Sequence, residues 1–165
     1  MNTNTSMGQS AIILAVSFVF SFGFNMVRND GLPLIATKQI IEGGQSTADS
    51  LLAETTLLFQ PVMIDLVIAK TFYDQEVLFI DARDDKEYRA GHIAGSKLAP
   101  ANPSEILRLG WATEDDPVVT YCSGGECDLS MSLANELMGE DWGFARVFVF
   151  DGGLPQWIEA GYPVE

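Results

Sequence analysis

Three predicted strands constrain this chain more than any other feature: the unbroken apolar run VLFI (Val77 to Ile80), then PVVTY (Pro117 to Tyr121) and RVFVF (Arg146 to Phe150). A strand with one face in water alternates polar and apolar residues. A run with no such alternation must be covered on both faces, which is the situation inside a parallel sheet. Helix-start grammar follows the runs. DDKE places Asp84 at an N-cap and Glu87 three residues on, as in a capping box. NPSE, Asn102 to Glu105, repeats the pattern with Pro103 at the first helical position. DLSMSLANELM reads as a helix carrying Leu129, Leu133 and Leu137 on one face, and DGGLPQWIEA as a Gly-Gly turn into a last short helix. MIDLVIAKTFY, Met63 to Tyr73, also has helical spacing. Strands alternating with helices predict an α/β fold, with a mainly parallel central sheet flanked by helices on both faces.

The N-terminal part reads differently. Ala11 to Val27 is seventeen residues free of charge. As a helix it would span about 25 Å, a length that tilt or local thinning reconciles with a bilayer core of about 30 Å. A signal peptide would need a basic leading region and a small-x-small cleavage site, and neither is evident. A buried core helix would need a polar stripe, which Ser17, Ser21 and Asn25 supply, although the same stripe suits helix packing in a membrane. The preferred reading is one transmembrane helix making the protein a single-pass membrane protein. The flanking charges Arg28, Asp30, Lys38 and Glu42 fix no orientation. The expected organisation is therefore 1–28 as polar N-terminus and anchor, 29–60 as linker, and 61–165 as the globular domain.

Both cysteines of the chain, Cys122 and Cys127, fall in one loop, in the stretch VVTYCSGGECDLS. Two cysteines and a single histidine, His92, are too few for a structural zinc site or a disulfide scaffold, so no metal is expected. Cys122 stands just after a strand and shortly before the helix that begins near Asp128. Ligands of open α/β sheets bind at that carboxyl edge. The loop Ser123, Gly124, Gly125, Glu126, Cys127, Asp128 can curl with its amides inward, because glycine accepts positive φ. Those amides and the positive helix end favour negative charge, so the Cys122 sulfur is expected to be an accessible thiolate and a nucleophile.

Three segments resemble the rhodanese family of sulfurtransferases, in family order: LFIDARDDKEYRAGHIAGS, VVTYCSGGECDLS and VFDGGLPQWIEAGYPV. The resemblance covers about residues 60 to 165. It implies that Cys122 takes a sulfane sulfur as a persulfide and passes it to a thiol, cyanide or protein acceptor, with no cofactor. The donor would be a small persulfide, thiosulfate or a protein persulfide. Asp81, Arg83, Glu87 and His92 match framework positions of the family. A scaffold role near the loop is preferred for His92, and a reach to the active loop stays open for Arg83. Gly152, Gly153 and Trp157 read as a tight turn with an aromatic anchor.

The loop also departs from the family. Where many rhodaneses end it with arginine, this chain has Cys127, flanked by Glu126 and Asp128. Phosphatases of related fold grip phosphate with an arginine in a loop one residue longer, which this loop cannot imitate. The carboxylates disfavour dianions, thiosulfate included. Cys127 has two readings, a small residue opening the helix or a resolving thiol that closes a disulfide with Cys122. The corresponding functions are a membrane-tethered sulfur carrier, a dithiol redox or sulfide-releasing protein, and a non-catalytic binding module. The formal charge of −14, from nine basic and 23 acidic residues, argues against nucleic acid as a partner.

Overall fold

The structure is a computed structural model that describes residues 16–17, 40–53, 60–99, 110–125 and 127–165. The chain divides into two compact units, 1–38 and 39–165, and the second carries the features below. Among the described residues its elements are β1 (Ile40–Ile41), α1 (Gln45–Ala53), β2 (Val62–Ile64), α2 (Leu66–Asp74), β3 (Leu78–Asp81), α3 (Asp85–Ala90), β4 (Lys97–Leu98), β5 (Val118–Tyr121), α4 (Leu129–Met138), β6 (Val147–Phe150) and α5 (Gly153–Glu159). The six strands form one sheet in the order β1-β2-β6-β5-β3-β4, and every ladder is parallel.

The apolar runs occupy the centre. β5 and β6 are buried along their whole length, and β3 at all but its first residue. Two apolar clusters line the two faces. One gathers Leu133, Ala134 and Leu137 of α4 against Val118, Val147 and Val149. The other gathers Ala48, Ile68, Phe72 and Trp157, from α1, α2 and α5, against Phe79, Val119, Phe148 and Phe150. Alternate residues of one strand thus serve opposite faces, which is why VLFI carries no polar residue.

Several boundaries differ from the sequence reading. Met63 and Ile64 belong to β2 rather than to a helix, because Asp65 caps α2 by accepting a hydrogen bond from the Ile68 amide at 2.8 Å. The stretch expected to be linker contains β1 and α1. β1 pairs with β2, and Ala48 is fully buried. Its short polar segments conceal an edge strand whose partner lies about twenty residues away. In α4 the buried positions are Ser130, Leu133, Ala134 and Leu137, while Leu129 is 50% exposed. The apolar stripe therefore starts one residue later than expected.

The proposed anchor, Ala11 to Val27, lies outside the described residues except at Val16 and Ser17, as does the NPSE segment. Among the described residues no helix is long and apolar enough to cross a membrane.

Candidate active site

The sheet order places β6, β5 and β3 side by side, so three sequence-distant turns meet at one carboxyl edge: Asp81-Ala82-Arg83, Cys122-Ser123-Gly124 and Asp151-Gly152-Gly153. Registry aligns their starting points, since Tyr121 pairs with both Asp81 and Phe150.

Gly124 and Gly125 are both in the left-handed region, with φ of 72° and 64°. Consecutive turns of this hand bend the loop back, and the Cys127 amide donates to Gly124 O at 3.3 Å. The Gly-Gly turn after β6 locks against this loop. Leu154 N donates to Cys122 O at 2.9 Å, and a side chain at Gly153 would collide with Cys122 O and with the Gly124 backbone. Likewise, a side chain at Gly124 would strike Gly152 O. The DGG motif is thus a backbone support for the cysteine loop as well as a turn.

Cys122 is 2% exposed and joined to Cys127 in a disulfide, with a Cα–Cα separation of 6.6 Å. The accessible sulfur expected from the sequence is therefore absent in this closed state, because the neighbouring cysteine covers it. Nor is Cys127 merely a small residue opening the helix. The Cys122 sulfur lies 3.2 Å from Cys127 O and 3.4 Å from Ser130 Oγ. Ser130 is 3% exposed and sits in the first turn of α4. Sequence reasoning missed it, although a serine at the first position of the i, i+3, i+4, i+7 stripe was a legible signal. Its carbonyl accepts from Thr120 Oγ1 at 2.9 Å, which ties α4 to β5. Ser123, Gly125 and Asp128 lie on the exposed rim, and Asp128 makes no side-chain cap bond. Glu126 falls outside the described residues.

The framework residues separate by contact. Among the described residues no hydrogen bond or ion pair joins Arg83 to the cysteine loop. It is buried against Asp81, with Nη2 2.6 Å from Oδ2 and Nε 2.9 Å from Oδ1, and it donates to Gly91 O at 2.8 Å. Burial alone would lower the guanidinium pKa, but the Asp81 carboxylate holds it above the ordinary value. Asp81 also accepts from the Arg83 amide at 2.9 Å. Among the described residues the His92 side chain meets Tyr88 and Glu165. Its ring stacks on Tyr88 at 3.8 Å, Nδ1 is 3.0 Å from Tyr88 O, and Nε2 is 3.5 Å from Glu165. His92 and Glu165 also exchange backbone hydrogen bonds, so the histidine fastens the C-terminus. Glu87 does touch the site: its amide takes the Asp84 cap, and its Oε1 accepts from Ser123 Oγ at 3.2 Å.

Tyr121, the residue before the cysteine, was another omission. Its buried hydroxyl accepts from Ile93 N at 3.1 Å and lies 2.8 Å from Ser96 Oγ. Burial, and then the Asp81 charge, push its phenol above the usual range. A cavity of about 510 Å³ lined by Tyr73, Leu78, Gly95 and Trp111 among others opens at the amino end of β3. That is the opposite edge of the sheet from Cys122, and none of the sequence-predicted site residues lines it.

Residues 68–160 match the Rhodanese-like domain family. The chain is 34% identical over 98 residues to the thiosulfate sulfurtransferase GlpE of Pseudomonas fluorescens, an alignment covering 59% of this chain and 84% of that protein. It is 35% identical over 91 residues to a helix-turn-helix transcriptional regulator of Mycobacterium tuberculosis, covering 54% of this chain but only 38% of the regulator's length. A solved structure of a Bacillus halodurans protein shares the fold, with a TM-score of 0.53 and 24% identity across 61% of this chain and 74% of that one.

Proposed function

The chain belongs to the rhodanese-like domain family, and from that membership we propose that it is a sulfurtransferase that carries sulfane sulfur as a Cys122 persulfide. The cycle starts from the reduced loop. The Cys122 thiolate attacks the outer sulfur of a persulfide R–S–SH, giving Cys122–S–SH and releasing R–S⁻. An acceptor thiolate or cyanide then attacks the terminal sulfur, and Cys122 leaves as thiolate. Covalent relay divides one difficult transfer into two easier ones. Once Cys122 is a thiolate, the Ser130 hydroxyl 3.4 Å away can only donate to it, and the positive end of α4 favours its charge.

One observation carries this reading. Cys122 stands at the carboxyl edge of a central strand, in a loop of two successive left-handed glycines, with a buried hydroxyl 3.4 Å from its sulfur. Similarity to a thiosulfate sulfurtransferase admits thiosulfate as donor. Asp128 and Glu126 disfavour a dianion, so less charged persulfides are the preferred donors. Thiocyanate formation by the reduced full chain tests both points. Cys122→Ser is expected to abolish it, and glutathione persulfide to outperform thiosulfate. Activity surviving in Cys122→Ser would overturn the sulfurtransferase role, whereas faster turnover with thiosulfate would overturn only the donor preference.

The apolar run from Ala11 to Val27 supports a further part of the proposal, a single-pass membrane tether. After alkaline carbonate washing, the full chain should stay with the membrane pellet. Recovery in the wash would remove the tether.

A further inference from the structure

We propose that Cys127 is the resolving thiol of Cys122, so that the protein reduces persulfides to hydrosulfide at the expense of a dithiol. This deepens the reading above and rests on it, since Cys122 must first accept the sulfur.

Three features of the loop support the step. First, the two cysteines are already joined, and their Cα atoms at 6.6 Å fall inside the range of about 4.4–6.8 Å that disulfides span. Second, the reach is built into the backbone. The left-handed pair Gly124 and Gly125 and the Cys127 N–Gly124 O bond return Cys127 to the strand end instead of leaving it along the helix. The Gly153 turn presses on the same loop from the other side. Third, the two cysteine residues differ in exposure. Cys122 is buried, while Cys127 is partly buried at the edge of the core. An external thiol therefore meets Cys127 first.

The chemistry balances without an added oxidant. Cys127 gives its proton to solvent, and its thiolate attacks the inner sulfur of Cys122–S–SH. The Cys122–Cys127 bond forms, the Cys122–sulfane bond breaks, and HS⁻ leaves with the bonding pair. The sulfane sulfur is reduced and the two cysteines are oxidised. A dithiol, small or of the thioredoxin class, then attacks the sulfur of Cys127, the less buried of the two residues, and expels Cys122 as thiolate. Its second thiol resolves the mixed disulfide, returning Cys127 reduced and leaving the dithiol oxidised. The better-stabilised thiolate is the faster leaving group, so this direction of opening fits the hydroxyl that Ser130 offers to the Cys122 sulfur.

The test loads the reduced, reductant-free full chain with one equivalent of glutathione persulfide and follows sulfide release beside intact mass. The wild-type chain should release one equivalent of sulfide and end about 2 Da lighter than the reduced protein. Cys127→Ser should release none and keep an adduct of about 32 Da on Cys122. Cys127→Ala should match it, and both variants should show a wild-type thermal melt when reduced. A wild-type chain that keeps the adduct with Cys127 still open to alkylation would overturn this proposal alone. If neither the wild type nor the Cys127 variants gained an adduct or released sulfide, the sulfur-accepting role of Cys122 would fall with it.

Discussion

Replacing Gly153 with alanine separates two costs that a glycine substitution usually confounds. At φ of 56° any L side chain meets local strain of roughly 1–2 kcal/mol. Gly161, at φ of 73°, would suffer the same strain, yet a side chain there meets nothing within 4 Å. At Gly153 the added carbon collides with Cys122 O and lies 2.9 Å from Gly124 Cα, and these are backbone atoms with no rotamer to turn away. The loop must move, and overpacking of this kind costs about 1–3 kcal/mol more. Gly161→Ala should therefore lose roughly 1–2 kcal/mol, and Gly153→Ala about 2–5 kcal/mol, out of a total of about 5–15 kcal/mol for an ordinary domain. The activities should diverge further. A displacement of the nucleophile by about 1 Å is worth on the order of a hundredfold in rate, so Gly153→Ala should lose sulfur transfer while Gly161→Ala keeps it. Urea titration of the reduced proteins and thiocyanate formation under non-denaturing conditions give the two readouts. Equal stability and equal activity in the two variants would refute the claim that the DGG turn supports the cysteine loop.

Ser130→Ala removes a hydroxyl 3.4 Å from the Cys122 sulfur. A hydrogen bond to a charged group is worth about 1.5–3 kcal/mol, so alkylation of the reduced protein by iodoacetamide at neutral pH should slow by about tenfold or more, and an unchanged rate would exclude this role for Ser130. Arg83→Met leaves the buried Asp81 carboxylate without its bidentate partner and should cost about 3–5 kcal/mol in urea titration; a loss under 1 kcal/mol on the same scale would mean that the pair carries little. Because burial raises the Tyr121 phenol, the native state keeps this proton after the unfolded chain releases it near pH of about 10. The contribution is complete below that value and is lost as pH rises above it. Stability above it should fall more steeply for wild type than for Tyr121→Phe, and parallel alkaline curves would contradict the assignment.

Much of this arrangement was legible because it is encoded locally. The apolar run VLFI reports its own double-sided burial, and Asp84 caps α3 with the partner its spacing predicted. Cys122 reads as a strand-end residue with glycines beside it, and those glycines adopt the hand that only glycine takes easily. None of these inferences needs to know which strand lies next to which.

What the tertiary structure alone decided depends on that adjacency. Strand order brings Asp81, Cys122 and Gly153 to one edge from positions far apart in the chain, and it turns a Gly-Gly turn into a support for the nucleophile. It recruits β1 from a stretch whose composition resembles a linker, since a two-residue edge strand gains its stability from its partner rather than from its own pattern. It rotates α4 so that Ser130 faces the sulfur and Leu129 faces solvent, a difference of one position that periodicity resolves poorly. The pairing of Cys122 with Cys127 was similarly open, because a five-residue separation permits closure but leaves the outcome to the loop's path. A residue's conformational preference and its neighbours' period are written in the sequence, whereas the contacts between distant segments arise only when the sheet assembles.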